Sequence, residues 1–248
     1  MISKSKLKYI QSLGHKKFRD EAGVFLVEGP KMVAEILQEK LLTVTGLYAL
    51  QDWITANEQL VQRVSEQVEI VAVDEISLAK ISQLTTPNKV VAVVTQQPLL
   101  PAVDTSQLTL VLDTIQDPGN LGTIIRIADW FGIRQLVCSQ ECADRYNPKV
   151  VQSTMGSIAR VGFYYTDLPD FLKANNNTRI YAAALDGIPV QNLGKLGNGF
   201  LVIGNESKGI SPEVMNLVNV RMTIPRIGQA ESLNAAVATG IILSHVTG

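Results

Sequence analysis

Six short, mostly apolar runs alternate with segments of helical period in the second half of this chain. They are Leu108–Leu112, Gln135–Cys138, Arg160–Tyr165, Arg179–Leu185, Phe200–Ile203 and Val220–Ile224. Strands that read as nearly continuous apolar runs are buried on both faces, and helices between them supply the cover. The expected helices are Asn120–Phe131, Pro148–Ser157, Leu168–Ala174, Pro212–Val218 and Ser232–Val246. This half is therefore expected to be α/β, with a mostly parallel sheet. In such sheets ligands bind beyond the carboxyl ends of the strands.

The first half repeats the alternation on a smaller scale. Strand patterns at Val24–Glu28, Val44–Leu50, Val68–Val73 and Lys89–Thr95 enclose helical segments at Gly29–Glu39, Trp53–Glu66 and Glu75–Leu84. A basic amphipathic helix over Ser3–Leu13 precedes them. Pro30 suits the first turn of its helix, where its missing N–H does no harm. Gln96–Ser106 has two prolines and no period, the pattern of a linker. The expected division is a small α/β domain over 1–96, a linker over 97–106 and a larger domain over 107–248.

No apolar run approaches the ~20 residues needed to span a bilayer. The start, Met-Ile-Ser-Lys-Ser-Lys-Leu-Lys, lacks the apolar stretch of a secretion signal, so a cytoplasmic protein with no membrane partner is expected. Cys138 and Cys142 have no histidine near them in sequence, which leaves a metal site unsupported and free thiols the expectation. The net charge of −1 conceals a basic block: Lys4, Lys6, Lys8, Lys16, Lys17 and Arg19 all precede the first acidic residue, Asp20. Such a block can neutralise phosphates; a solvated helix face explains it equally well. No Gly-x-Gly-x-x-Gly follows a strand and no Walker A sequence occurs. Neither His15 nor His245 sits in an evident triad. Oxidoreductase, NTPase and hydrolase chemistry thus have little support.

Three loops that leave predicted strands carry the polar residues of interest. In Asp117-Pro-Gly-Asn-Leu-Gly-Thr-Ile-Ile-Arg126, Asn120 serves either as a helix N-cap or as a ligand contact. Arg126 lies among the core positions Leu121, Ile124, Ile125, Ala128 and Phe131. A cation near the positive start of a helix is unfavourable unless an anion such as RNA phosphate, or a surface salt bridge, accounts for it. Gly204-Asn-Glu-Ser-Lys-Gly209 sets Glu206 between glycines that allow close backbone approach. Glu206 there either orders the loop or meets a substrate. In Ile224–Ala236, Ser232 is the expected N-cap of the last helix. A structural role explains Asn234 less well, because Asn is an indifferent helix former.

The order and spacing of these segments resemble the three motifs of the SpoU (TrmH-type) RNA 2′-O-ribose methyltransferases, of the SPOUT superfamily, from about Leu108 onward. The resemblance implies an α/β trefoil knot, S-adenosylmethionine as methyl donor, and 2′-O-methylation of RNA, with 23S-type ribosomal RNA favoured. It implies Asn120, Arg126, Glu206, Ser232 and Asn234 as functional positions. Gly204, Ile224, Leu233 and Leu185 would line the donor pocket. A homodimer through this domain, without a metal, is implied as well. Lys6-Leu-Lys-Tyr-Ile-Gln-Ser-Leu13, Lys16-Lys-Phe-Arg19 and Phe25-Leu-Val-Glu-Gly29 resemble, more loosely, an accessory domain similar to the ribosomal L30e/L7Ae RNA-binding fold. There Lys4, Lys6, Lys16, Lys17 and Arg19 would meet RNA. The alternatives are a tRNA 2′-O-methyltransferase and a non-catalytic RNA-binding protein. Two positions depart from the family pattern: Arg226 stands where Met is common, and Asn205 where Ser is frequent.

Overall fold

The structure is a computed structural model and describes residues 2–64, 66 and 68–247. Through Thr95 the elements are α1 (Lys4–Ser12), α2 (Lys16–Ala22), β1 (Val24–Glu28), α3 (Pro30–Glu39), β2 (Val44–Ala49), α4 (Gln51–Ala56), α5 (Glu58–Val64), β3 (Glu69–Ala72), α6 (Glu75–Ile81) and β4 (Val90–Thr95). There follow β5 (Leu108–Asp113), α7 (Pro118–Trp130), β6 (Gln135–Cys138), α8 (Pro148–Thr154), β7 (Gly162–Tyr165), α9 (Leu168–Ala174), β8 (Ile180–Pro189), β9 (Gly199–Gly204), α10 (Pro212–Met215), β10 (Val220–Thr223) and α11 (Ala235–Val246). The chain forms two compact units, Met1–Pro98 with Tyr146–Ala159, and Leu99–Arg145 with Arg160–Gly248.

The first unit is built on a sheet in the order β1-β4-β2-β3. β4 runs antiparallel to both β1 and β2, while β3 runs parallel to β2. Successive strand residues point to opposite faces, so β1 feeds two cores. Phe25 and Val27 join Ile36, Leu47 and Trp53 on one face. Val24 and Leu26 join Ile10, Leu13 and Ile81 on the other. Residues 146–159 lie inside the larger half of the sequence but belong to this unit: Tyr146 stacks on Phe25 at 4.4 Å between ring centres, and Val151 and Ile158 enter its core.

Two local features differ from the sequence expectation. The helix predicted over Trp53–Glu66, whose residue 65 lies outside the described residues, breaks at Asn57. The Asn57 side chain donates to the Trp53 carbonyl at 2.8 Å, an end-of-helix bond, before α5 starts at Glu58. Helix α2 occupies a stretch with no predicted element. Arg19, on that helix, is buried, and its Nη1 donates to the Leu13 and Gly14 carbonyls at 2.9 Å each. It holds the α1–α2 turn and is not the exposed phosphate contact expected of it.

The second unit carries a six-stranded, wholly parallel sheet in the order β10-β8-β9-β5-β6-β7. The chain runs outward through β5, β6 and β7, then crosses to the far side for β8 and returns to β9 beside β5. The reversal of strand order thus lies between β5 and β9, and a crevice opens at the carboxyl ends of strands at such a point. β8 is longer than predicted because its pairing with β10 skips: Ala182 faces Arg221, but Ile188 faces the next residue, Met222. The intervening residues 183–187 bulge out of the ladder with β10. The bulge closes at Gly187, where φ is +147° and a Cβ would stand 2.5 Å from the Arg221 carbonyl oxygen, so a side chain has no room there.

Glu28, at the end of β1, is buried; burial pushes its carboxyl up from the ordinary range, against bonds from the Ser82 hydroxyl and the Gln83 N–H. A carboxyl raised in the folded state favours folding below its unfolded pKa, and that contribution is lost as the pH rises through the folded value. Glu28→Gln keeps an acceptor for Gln83 and removes the charge. Its melting temperature should exceed that of the parent at neutral pH, and the gap should close as the pH falls through the glutamate range. Thermal scans at a series of pH values check this; an equal offset at every pH would remove Glu28 as the cause.

Candidate active site

The site is assembled at the β5/β9 edge. The two strands pair in register from Leu108↔Gly199 to Asp113↔Gly204, so their following loops leave side by side. The loop after β9 folds back on itself. Asn205 and Gly209 exchange both backbone bonds, at 3.0 and 2.9 Å. A Cβ on Gly204 would lie 2.4 Å from the Gly209 carbonyl carbon, which only glycine at 204 avoids. The Asn205 side chain ties the loop down: Oδ1 accepts from the Ser207 and Lys208 N–H groups, and Nδ2 donates to the Thr114 carbonyl at 2.9 Å. Glu206 stands at the head of this hairpin.

Helix α7 begins earlier than the sequence suggests. Asp117 is its N-cap and accepts from the Asn120 N–H at 2.8 Å. Asn120 is therefore the third residue of the helix, and its side chain is released from capping. At α11 the expectation is likewise corrected. Asn234 is the cap and not Ser232, because Asn234 Oδ1 accepts from the Ala236 and Val237 N–H groups at 3.0 and 3.2 Å.

These caps give the site a definite polarity. With its oxygen held by helix N–H groups, the Asn234 amide must turn its nitrogen outward, and it donates to Asn120 Oδ1 at 2.8 Å. Asn120, with its oxygen taken, donates through Nδ2 to Glu206 Oε1. Each amide orientation follows from the one before it, and the last bond is strengthened by the carboxylate charge. One residue from each of the three loops thus joins a single chain of hydrogen bonds. Glu206 Oε2 makes no further bond among the described residues.

Arg126 is the ninth of thirteen residues in α7, well beyond the first turn, so the helix-dipole argument does not apply to it. It is exposed on the face opposite Leu121, Ile124, Ile125 and Ala128, and Phe131 lies just past the helix end. The surface salt bridge that would give it a purely structural role does not occur among the described residues. Ser232 and Leu233 are exposed in the segment leading to α11.

Beside the hydrogen-bonded chain lies a cleft of about 980 Å³. Its wall includes Leu185, Gly204, Glu206, Ile224, Ser232 and Leu233, while Asn120, Arg126 and Asn234 are not part of it. Leu185 sits in the bulged part of β8 and is 78% exposed. Ile203, Met215, Met222 and Ile242 make the floor apolar, and strand ends and loops bring backbone groups to the rim. Under the first loop, Cys142 Sγ accepts from the Ile115 N–H and donates to the Leu112 carbonyl, both at 3.3 Å. The neighbouring Cys138 thiol and the Ile115 N–H hold the Cys142 thiol below its usual range, while Cys142 and burial push Cys138 up. No group of three or more metal-ligating side chains occurs among the described residues.

In the first unit the basic block is less free than its sequence suggests. Lys6 pairs with Glu69 at 2.6 Å, Lys16 with Asp20 at 2.5 Å and Lys17 with Glu21 at 3.9 Å. Lys4 and Lys8 are exposed and make no ion pair among the described residues. Sequence reasoning passed over Asp113, Asp117 and Ser211. The available signal was a single acidic residue ending an apolar strand and another preceding Pro118.

Residues 107–244 match the model of the SpoU rRNA methylase family, and residues 4–92 that of the MRM3-like substrate binding domain. The chain is 30% identical to the 23S rRNA (guanosine(2553)-2′-O)-methyltransferase RlmP of Bacillus subtilis, over 98% of this chain and 96% of the relative. A TrmH-family protein from Porphyromonas gingivalis superposes with a TM-score of 0.85 at 36% identity, covering 99% of this chain and 98% of the other. The SpoU methyltransferase AviRb of Streptomyces viridochromogenes, solved in complex with AdoMet, gives 0.83 at 28% identity, with 98% and 97% covered.

The double duty of Asn234 separates capping from the hydrogen-bonded chain. Asn234→Ala should destabilise the fold by about 1 kcal/mol through the lost cap. Asn234→Asp keeps the capping oxygen and should cost much less, although it cannot donate to Asn120. Denaturant unfolding of the two variants checks this, and equal losses would show that the cap is not what Asn234 contributes to stability.

Proposed function

The chain belongs to the SpoU rRNA methylase family, and on that premise we propose that it methylates a ribose 2′-hydroxyl of 23S-type ribosomal RNA with S-adenosylmethionine as donor. The observation that carries this reading is the Asn234–Asn120–Glu206 chain at the mouth of the cleft. The cleft fits the donor in volume and in character. Its apolar floor suits a purine ring, and the rim of backbone groups around Leu185, Gly204, Ile224 and Leu233 suits the ring's polar edge.

The donor, when bound, supplies a methyl group already activated on sulfonium sulfur. The protein's task is then to align the hydroxyl for in-line attack and to manage its charge. Asn120 is held from both sides and presents Glu206 in one orientation, leaving Oε2 to accept from the ribose. Arg126 extends from α7 as an exposed cation that makes no ion pair among the described residues. A guanidinium stays protonated, so Arg126 acts by stabilising the developing alkoxide and holding the neighbouring phosphate. Ser232 contacts the substrate from the segment before α11.

Ribosomal RNA is favoured over tRNA because the match to the 23S rRNA enzyme of B. subtilis runs through both units. Lys4, Lys8, Lys16 and Lys17 present charge from the substrate-binding unit, in a cytoplasmic enzyme. We infer a homodimer through the second unit, with a second copy covering apolar side chains left in solvent, among them Trp130, 84% exposed, and Val237. Light scattering at micromolar concentration should give twice the chain mass; a monomer would overturn this.

Labelled methyl transfer to rRNA and tRNA lacking native modification, followed by nucleoside analysis, tests the activity. A 2′-O-methylnucleoside should form in the rRNA pool. Arg126→Ala should still bind the donor but lose turnover by about 100-fold or more. Unchanged turnover would remove Arg126 from the mechanism, and absence of both transfer and donor binding in the parent would sink the enzyme reading.

A further inference from the structure

We propose that Asp113 is a positioning residue for this reaction, clamping the loop that carries Glu206 to the loop that leads to Asn120. The proposal rests on the methyltransferase reading. Asp113 ends β5, the strand beside the reversal of strand order, and it is 4% exposed. A carboxylate so buried is costly unless donors surround it, and here three do. Oδ2 accepts from both the Ser211 N–H and the Ser211 hydroxyl at 2.7 Å, and Oδ1 from the Thr114 hydroxyl at 3.0 Å.

The two residues it holds lie at the ends of the two loops that meet in the site. Ser211 closes the segment that contains Glu206, and Asn205 opens it. Asn205 is itself bonded to the Thr114 carbonyl, so Glu206 is anchored on both sides to the same dipeptide, Asp113–Thr114. Thr114 also has φ +60°, a conformation unfavourable for a residue with a Cβ. Its N–H is taken by Ser139 Oγ at 3.1 Å, its hydroxyl by Asp113 and its carbonyl by Asn205. The dipeptide is thus held in a strained turn by bonds to two separate segments, the loop at Ser139 and the segment from Asn205 to Ser211. That turn sets where Asp117 caps α7, and hence where Asn120 meets Glu206. Misplacing reacting groups by about 1 Å can cost about 100-fold in rate, so a clamp of this kind acts on turnover more than on binding.

Three variants test it, by steady-state kinetics and by hydrogen exchange of the peptide spanning 204–211. Asp113→Ala should lower kcat about tenfold or more while KM for donor and RNA stays within about threefold. Exchange across 204–211 should rise while β5 and β9 stay protected. Asp113→Asn keeps an oxygen for Ser211 and offers its amide to a Thr114 hydroxyl that can turn to accept, so it should restore kcat to within about threefold of the parent. Ser211→Ala removes one donor only, and should show the same pattern more weakly; it decides the matter if Asp113→Ala does not fold. Unchanged kcat and exchange in the folded variants would overturn the proposal. So would equal loss in the Ala and Asn variants tracking melting temperature, which marks general destabilisation. If the parent transfers no methyl group, the functional reading fails, and the exchange data still decide whether Asp113 holds the loop.

Discussion

The parallel pairing of β5 with β9 is the interaction on which the second unit depends. All six residues of β5 are buried, and its sides are taken by β9 and β6. Burial of its leucine and valine side chains contributes about 1.5–3 kcal/mol each before the entropy of ordering is charged against it. Parallel direction matters as much as burial. Two parallel neighbours release their chains at the same edge of the sheet, so the loops after Asp113 and Gly204 emerge together. An antiparallel pair would send them to opposite edges, and no side chain on one could reach the other.

Once the loops are adjacent, polar residues have to satisfy backbone groups before they can do anything else. Asp117 and Asn234 cap helices, and Asn205 holds the turn of its own loop. In Asn234 this obligation becomes an advantage: capping fixes which end of the amide faces Asn120, and Asn120 passes the orientation to Glu206. A carboxylate or amide positioned through backbone bonds loses little freedom when a substrate arrives, the property expected of a preorganised site.

The first unit shows the reverse case, in which structure reduces what composition promises. Of six basic residues before Asp20, one is buried and three face acids. The partners of Lys16 and Lys17 come from the next helical turn, just beyond the block, and the partner of Lys6 from β3. Exposed pairs of this kind are weak, typically below 1 kcal/mol, so RNA phosphate can compete for those lysines. It cannot compete for Arg19, whose carbonyl partners are part of the fold.

Apart from α2 and the break between α4 and α5, the order of strands and helices was legible in the chain, because buried strands and amphipathic helices impose distinct periods. Asn120, Glu206 and Asn234 stood out as well, as polar residues following apolar strands, and the structure joins these three in one chain of hydrogen bonds. Boundaries set by capping were not legible. Asp117 and Asn234 displaced Asn120 and Ser232 as caps, a choice between neighbouring side chains that turns on backbone angles at one residue. Nor could sequence reveal that 146–159 belong with the first unit, that Lys6 finds Glu69, or that Asp113 holds Ser211 across 98 positions. Local periodicity reports which face of an element is buried; which distant group completes a hydrogen bond depends on strand order and register, and those exist only once the sheet has formed.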